Sequence, residues 1–171
     1  DCRAGEVHAI LGENGSGKTT FADLVFFALG GTVKQFSKRG NQQHPEIRSD
    51  TNNFARVAID VNGCGYALTR RFDAPQDILV ASLDHSAQPH EVEVLPVHRR
   101  DGRRVFSDWL LDKLGISALT LFAGAYRGRL NFTDLMRLMY HDQNPNPSRV
   151  FMKLDHDSFV TDSRDFRRAV F

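Results

Sequence analysis

The sequence has few of the features that mark secreted, membrane-embedded or disulfide-rich chains. It contains only two cysteines, Cys2 and Cys64, in 171 residues. They lack Cys-x-x-Cys spacing and could form at most one bridge, which favours a reducing, cytoplasmic setting. No run of about 18 apolar residues and no signal-peptide pattern is present, so we expect no membrane partner. The formal net charge of +1 does not by itself predict nucleic-acid binding.

The composition does provide enough apolar material for one domain, since 41% of the residues are hydrophobic. The chain starts with Asp1 rather than Met, and the charged residues 162–171 begin a helical pattern without a helix-ending residue. We therefore expect residues 1–171 to be one piece of a larger protein.

The clearest motif is Gly12-Glu-Asn-Gly-Ser-Gly-Lys-Thr19, which fits the phosphate-loop pattern of a glycine, four residues, Gly-Lys and Ser or Thr. The apolar residues 8–11 predict a buried strand before the loop, and Lys18 to Leu29 predict a helix after it. Glycines let backbone N–H groups converge on phosphate oxygens, and the helix N-terminus adds partial positive charge. The pattern predicts binding of a nucleoside triphosphate, with Lys18 on the outer phosphates and Thr19 on Mg²⁺. The expected contacts within residues 1–31 are Gly12, Gly15, Ser16, Gly17, Lys18, Thr19 and Thr20.

After this helix, whose C-cap is predicted at Gly30-Gly31, the sequence predicts a long polar loop and then an antiparallel meander over residues 54–97. Residues 32–53 lack hydrophobic periodicity. Asn62 to Gly65 are typical of a hairpin turn, and Pro96 favours an edge position. The four strands are predicted at residues 54–61, 66–72, 77–83 and 91–97.

Two helices are predicted within residues 106–143. Ser107 is placed to cap the first helix, and Gly115 fits its C-terminal end. Residues 119–123 predict a short strand between the helices. The apolar face of the second helix comprises Phe132, Leu135, Met136 and Met139.

This order of elements differs from that of kinases and GTPases, which return promptly to a parallel sheet through βαβ units. The stretches "GENGSGKTTFADLVFFALGG", "ARVAIDVNGCGYALTRRF" and "LMRLMYHDQ" resemble the N-terminal lobe of an ABC-type ATPase head of the SMC-like group, which includes the double-strand-break-repair ATPases and RecN. "FSDWLLDKLGI" and "LNFTDLMRLMYHDQ" look like a prokaryotic branch of coiled-coil ATPases, some tied to defence against foreign DNA. The implied fold is a mixed α/β P-loop NTPase lobe with an antiparallel meander and flanking helices.

The resemblance also assigns roles to individual residues. Gln143 matches the Q-loop glutamine, which would complete the Mg²⁺ shell and sense the γ-phosphate of ATP; the alternative is a turn glutamine beside two prolines. Asn14 matches an asparagine that faces the partner head and the attacking water; the alternative is a loop residue that tolerates left-handed geometry. In such heads the signature loop, the Walker B aspartate and the catalytic glutamate lie in a C-terminal lobe beyond a coiled coil, toward which residues 162–171 would start.

Two aspartates could be mistaken for Walker B residues. Asp60 in "VAIDV" lies beside a hairpin, and Asp84 in "ILVASLDH" lies at a turn. Neither is followed by a glutamate, so we reject both assignments. We therefore expect this piece to bind ATP and Mg²⁺ but to hydrolyse ATP poorly by itself.

The function implied by the resemblance is ATP-dependent engagement of two heads acting on double-stranded DNA, in repair, chromosome maintenance or defence against phages and plasmids. The implied partners are a second copy of the head, the protein's own C-terminal lobe and accessory subunits, and a prokaryotic protein of this kind would be nucleoid-associated. Two alternatives stay open: the nucleotide-binding domain of a membrane transporter, and a kinase-like enzyme in which Asp60 or Asp84 binds metal.

A dense basic run, "HRRDGRR" at His98 to Arg104, follows the predicted meander. Guanidinium groups on a loop suit contacts to DNA phosphates, whose strength falls steeply with salt. A charge run can also be a solvated turn. The candidate DNA contacts are Arg99, Arg100, Arg103 and Arg104.

Overall fold

The computed structural model of the chain describes residues 6–36, 46–99, 102–117, 119–123 and 126–139. Gln143, Arg100 and the helix start predicted at residues 162–171 lie outside these ranges. The helices are α1 (Lys18–Ala28), a 3-10 turn (Lys34–Phe36), α2 (Glu46–Ser49), α3 (Phe106–Lys113) and α4 (Phe132–Met139). The strands are β1 (Phe54–Val61), β2 (Cys64–Arg71), β3 (Asp77–Leu83), β4 (Pro89–Pro96), β5 (Thr120–Ala123) and β6 (Tyr126–Arg129).

The first four strands form one antiparallel sheet in the order β1-β2-β3-β4, so the predicted meander is confirmed. Asn62 and Gly63 connect β1 to β2 with φ angles of 55° and 79°, which is the geometry of a tight type I′ hairpin. Pro96 ends β4 at the edge of the sheet, where a missing N–H costs no ladder hydrogen bond. A separate hairpin pairs β5 with β6, and β6 was not predicted.

The core lies on one face of the four-stranded sheet. Alternation along β1 turns Val57, Ile59 and Val61 toward that face, and Leu68 of β2 and Ile78 of β3 are fully buried there. An aromatic cluster joins α1 to the sheet: the Phe27 and Phe72 rings stack at 4.9 Å, and Phe36 packs edge-on against both. Helix α3 adds Trp109, whose ring meets Tyr66 edge-on at 5.0 Å.

Helix α1 ends with the glycine pair predicted to cap it. The N–H of Gly30 donates to Phe27 O at 3.0 Å, and the N–H of Gly31 donates to Phe26 O at 2.9 Å. These two bonds form a Schellman motif, which needs the left-handed φ of 92° at Gly30. A β-carbon at Gly31 would overlap the Phe26 ring.

Two local predictions were wrong in part. Residues 8–11 form no strand and are exposed, because a strand needs a neighbouring strand to pair with and no described residue pairs with them. The polar loop predicted at residues 32–53 contains the 3-10 turn and α2, and its Val33 and Phe36 are core residues. None of the helices in the described part of the chain is long and apolar enough to cross a membrane.

The predicted capping role of Ser107 was also wrong. The N-cap of α3 is Val105, and Ser107 lies inside the helix, nearly buried. Its hydroxyl accepts a 2.6 Å hydrogen bond from the N–H of Phe132, the first residue of α4. Ser107 therefore satisfies an open N–H of the other helix and fixes α4 against α3.

We expect Ser107→Ala to lower the free energy of unfolding by about 1–2 kcal/mol, because the buried N–H of Phe132 loses its acceptor. Chemical denaturation measures this change. The exposed Ser86→Ala is the matched control and should leave stability unchanged within about 0.5 kcal/mol. Equal stability of the two variants would contradict the assigned role of Ser107.

Candidate functional site

The phosphate-loop motif forms an exposed turn that leads directly into α1. Gly15 and Gly17 have φ angles of 83° and 85°, a left-handed geometry that glycine adopts without strain. The N–H of Ser16 donates to Glu13 O at 3.2 Å and closes the turn. Gly12 approaches Ser16 so closely that a β-carbon would lie 2.6 Å from the Ser16 hydroxyl.

Lys18 folds back over this loop. Its Nζ donates to Gly12 O at 2.8 Å and to Glu13 O at 2.7 Å, and Ser16 Oγ lies 3.4 Å away. These acceptors are neutral, so the ammonium charge stays uncompensated by any of them. The Lys18 cation therefore lies over the loop at the N-terminal end of α1.

The N-terminus of α1 is open. Gly17 occupies the N-cap position without a side-chain cap, and the first turn contains no acidic residue. The first N–H groups of a helix have no partner within the helix, and they carry the positive end of its dipole. Thr19 and Thr20 are exposed beside them. Such a helix start, next to a lysine, fits the phosphates of a nucleotide.

The part of the chain that the structure describes gives no specific contact for the two other predicted residues, Asn14 and Gln143. Asn14 is exposed in the turn, and its φ is not positive, so it does not use the left-handed geometry that asparagine tolerates. Its role toward a partner head stays a prediction. The assignment of Gln143 falls outside the described residues. No cluster of histidine, cysteine or carboxylate side chains that could hold a metal occurs among the residues that the structure covers.

Asp60 and Asp84 both stabilise turns. Asp60 Oδ1 accepts the N–H of Gly63 at 3.0 Å in the β1–β2 hairpin. Asp84 Oδ1 accepts the N–H groups of Ser86 and Gln88, both at 2.8 Å, in the turn after β3. These bonds give each carboxylate a local structural task, which disfavours the kinase-like alternative.

The basic run lines a groove of about 630 Å³ together with two carboxylates of α3. Arg99 binds Asp108 through two hydrogen bonds of 2.5 and 2.6 Å. Arg104 binds Asp112 at 2.7 Å, where both side chains are largely exposed. The sequence contained a sign of this pairing, because aspartates four residues apart share one face of a helix. The groove is lined by Arg99, Gly102, Arg103, Arg104, Asp108, Asp112 and Arg129.

Asp108 is the anionic centre of this groove. The hydrogen bonds from Arg99 hold the pKa of Asp108 below its ordinary value, against the opposing effect of burial, and the charges of Arg99, Arg129 and Arg104 lower it further. A second arginine, Arg129, lies 3.6 Å from Asp108 Oδ1. The carboxylate thus joins the loop before α3 to the end of β6.

We expect Asp108→Asn to lower the free energy of unfolding at pH 7 by about 1 kcal/mol, after allowance for solvent screening. Because the pKa of Asp108 is depressed in the folded state, its stabilisation is present above the ordinary aspartate pKa and is lost as pH falls through the folded-state pKa. The difference between wild type and variant should therefore narrow below about pH 4.

Denaturant titrations at several pH values measure this difference. Asp112→Asn is the matched control, since the Asp112 side chain is 71% exposed and its ion pair should contribute less than about 0.5 kcal/mol. A cost at Asp108 that does not change with pH would rule out the ion-pair explanation.

Comparison with known proteins agrees with these features. The AAA domain family matches residues 5–91, about half of the chain. The chain is 30% identical over 91 residues to the DNA double-strand break repair Rad50 ATPase of Methanocaldococcus jannaschii. The aligned part is 53% of this chain and 8% of that protein. No solved structure matches the chain. The chain belongs to the AAA domain family, and its sequence is similar to part of an SMC- and Rad50-like ATPase.

Proposed function

We propose that this lobe binds ATP and Mg²⁺ at residues 12–20 and forms one half of an ATPase site. The observation that carries the proposal is the open, acid-free N-terminus of α1 with the Lys18 ammonium lying over the loop before it. Backbone N–H groups at the start of α1 would bind phosphate oxygens. Lys18 would interact with the outer phosphates, and the exposed Thr19 hydroxyl would ligate the metal.

Mg²⁺, when bound, would supply positive charge that polarises the terminal phosphates. The chain's own contribution is positioning, because Gly15 and Gly17 shape the loop and Lys18 fixes a cation beside it. Gln143 is proposed as a second metal contact on the resemblance alone.

A second lobe is part of the proposal. Val7, Ile10 and Leu11, just before the phosphate loop, are 99%, 56% and 89% exposed. Closely spaced exposed apolar side chains beside a binding site are typical of a surface that another element covers. We propose that the protein's own C-terminal lobe packs there and supplies the Walker B and signature residues. Asn14, exposed in the loop, would face a second head joined through ATP.

Lys18→Ala should weaken binding of Mg²⁺-ATP to this chain by at least about tenfold, because it removes the cation above the loop. Isothermal titration calorimetry measures the affinity. Lys113→Ala, which removes an exposed lysine on α3, is the control. Turnover should appear only when the C-terminal lobe is added. Efficient ATP hydrolysis by the chain alone would overturn the proposal that the ATPase site is shared between two lobes. Equal affinities of wild type and Lys18→Ala for Mg²⁺-ATP would overturn the nucleotide site.

We also propose that the groove contacts the phosphates of double-stranded DNA. Four arginines face two aspartates there, which leaves a net positive surface. Arg103 makes no hydrogen bond or ion pair with the described residues, so its guanidinium is available to a phosphate. The named function of the Rad50 relative, repair of DNA double-strand breaks, supports a role on DNA. Such a protein would act in the cytoplasm with accessory subunits, in repair, chromosome maintenance or defence.

Arg103→Ala should weaken DNA binding and reduce the slope of log affinity against log salt by about 0.9 for one lost phosphate contact. Its stability should not change. Arg71→Ala is the matched control, because Arg71 is exposed outside the groove and paired with Asp73. Fluorescence anisotropy with duplex DNA at several salt concentrations measures both. Equal losses in the two variants would indicate a diffuse charge effect and contradict a contact in the groove.

A further inference from the structure

Arg70 is a buried cation on β2. Its side chain is 3% exposed, and none of the ion pairs in the described part of the chain includes it. The guanidinium instead donates to three carbonyl oxygens. Its Nη1 donates to Phe27 O at 2.6 Å and to Gly31 O at 2.7 Å, and its Nε donates to Pro75 O at 2.7 Å.

Phe27 O belongs to the last turn of α1, and Gly31 O lies just beyond the end of the helix at Ala28. The last carbonyls of a helix lack partners within the helix and carry the negative end of its dipole, so they suit a cation. The guanidinium also lies over the Phe27 ring, 4.1 Å from its centre. The residue opposite Arg70 on β1 is Ala55, a small side chain on the same face of the sheet.

The third carbonyl belongs to the connection between β2 and β3. Arg70 therefore ties three parts of the lobe together: the C-terminal end of α1, its own strand and the turn at residues 72–76. Burial lowers the pKa of Arg70 to about 10, so the side chain stays charged at neutral pH. A planar group with several fixed donors suits this arrangement better than the single ammonium of lysine.

We propose that Arg70 is a positioning residue for nucleotide binding, which it serves by fixing the far end of the helix that carries the phosphate loop. This inference rests on the nucleotide site proposed above. Helix α1 has 11 residues and behaves as one rigid rod about 16 Å long. A tilt of about 10° at one end would displace the other by about 3 Å, whereas a binding site tolerates about 0.5 Å.

Arg70→Lys keeps the positive charge but removes the planar guanidinium, with its several donors and its contact with the Phe27 ring. We expect it to weaken binding of a fluorescent Mg²⁺-ATP analogue by about five- to twentyfold, in the range of couplings between linked sites. Arg70→Gln should weaken binding further. The control is Val80→Ala, which removes buried methyl groups from β3 and lowers stability without touching α1 carbonyls. Affinities are compared at a temperature where circular dichroism shows every variant folded.

Weakened binding in the Arg70 variants, with wild-type affinity in Val80→Ala, supports the positioning role. Wild-type affinity in Arg70→Lys despite a lowered melting temperature would overturn it, and the nucleotide site would stand if Lys18→Ala still loses binding. Absence of binding by the wild-type chain would overturn both.

A second measurement needs no variant, which keeps the inference testable should the Arg70 variants not fold. Amide hydrogen exchange of the wild-type chain is followed with and without Mg²⁺-ATP. Slower exchange at residues 28–31 and 72–76, in addition to the phosphate loop, supports coupling through Arg70. Protection confined to residues 12–20 would overturn it.

Discussion

Helix α1 is the element on which the rest of the structure depends. It packs on the sheet along one face, and its C-terminal end is capped whereas its N-terminal end is not. The buried face includes Phe27, whose ring stacks on that of Phe72, the residue that directly follows β2. The C-terminal end is closed by the Schellman bonds of Gly30 and Gly31 and by Arg70, whereas the N-terminal end has no side-chain cap and no acidic residue in its first turn. A helix with its negative end satisfied and its positive end open offers N–H groups to an anion. This asymmetry underlies the proposed nucleotide site.

The sequence predicts those parts of the fold that are determined by residues close together in the chain. The alternation of apolar and polar residues predicted β1, Asn62-Gly63 predicted a tight hairpin turn, and the glycine pair after α1 predicted its end. Each of these is a local backbone preference, so a short window contains all the information. The phosphate loop belongs to the same class, because its geometry is set by its own glycines.

Features that depend on distant partners could not be predicted. Ser107 bonds a residue 25 positions away, and Arg70 bonds a helix end 43 positions away, so neither partner is visible in a short window. The apolar residues 8–11 carry a strand pattern, but a strand forms only where a neighbour offers its hydrogen bonds. Hydrophobic pattern predicts that a segment will be covered and says nothing about which element covers it.

The two cationic regions, the phosphate loop and the groove, differ in how far neighbouring groups neutralise their charge. Lys18 bonds neutral carbonyls, which orient the ammonium and leave its full charge to attract phosphate. Arg99 and Arg104 bond carboxylates, which cancel most of their charge, so the groove retains chiefly the charge of Arg103 and part of that of Arg129. The phosphate loop can therefore act as a site for one small ligand. The small net positive charge of the groove supports only weak binding of a polyanion by itself, since salt screens a few exposed charges. A DNA contact here has to be one of several, spread over a surface larger than this lobe.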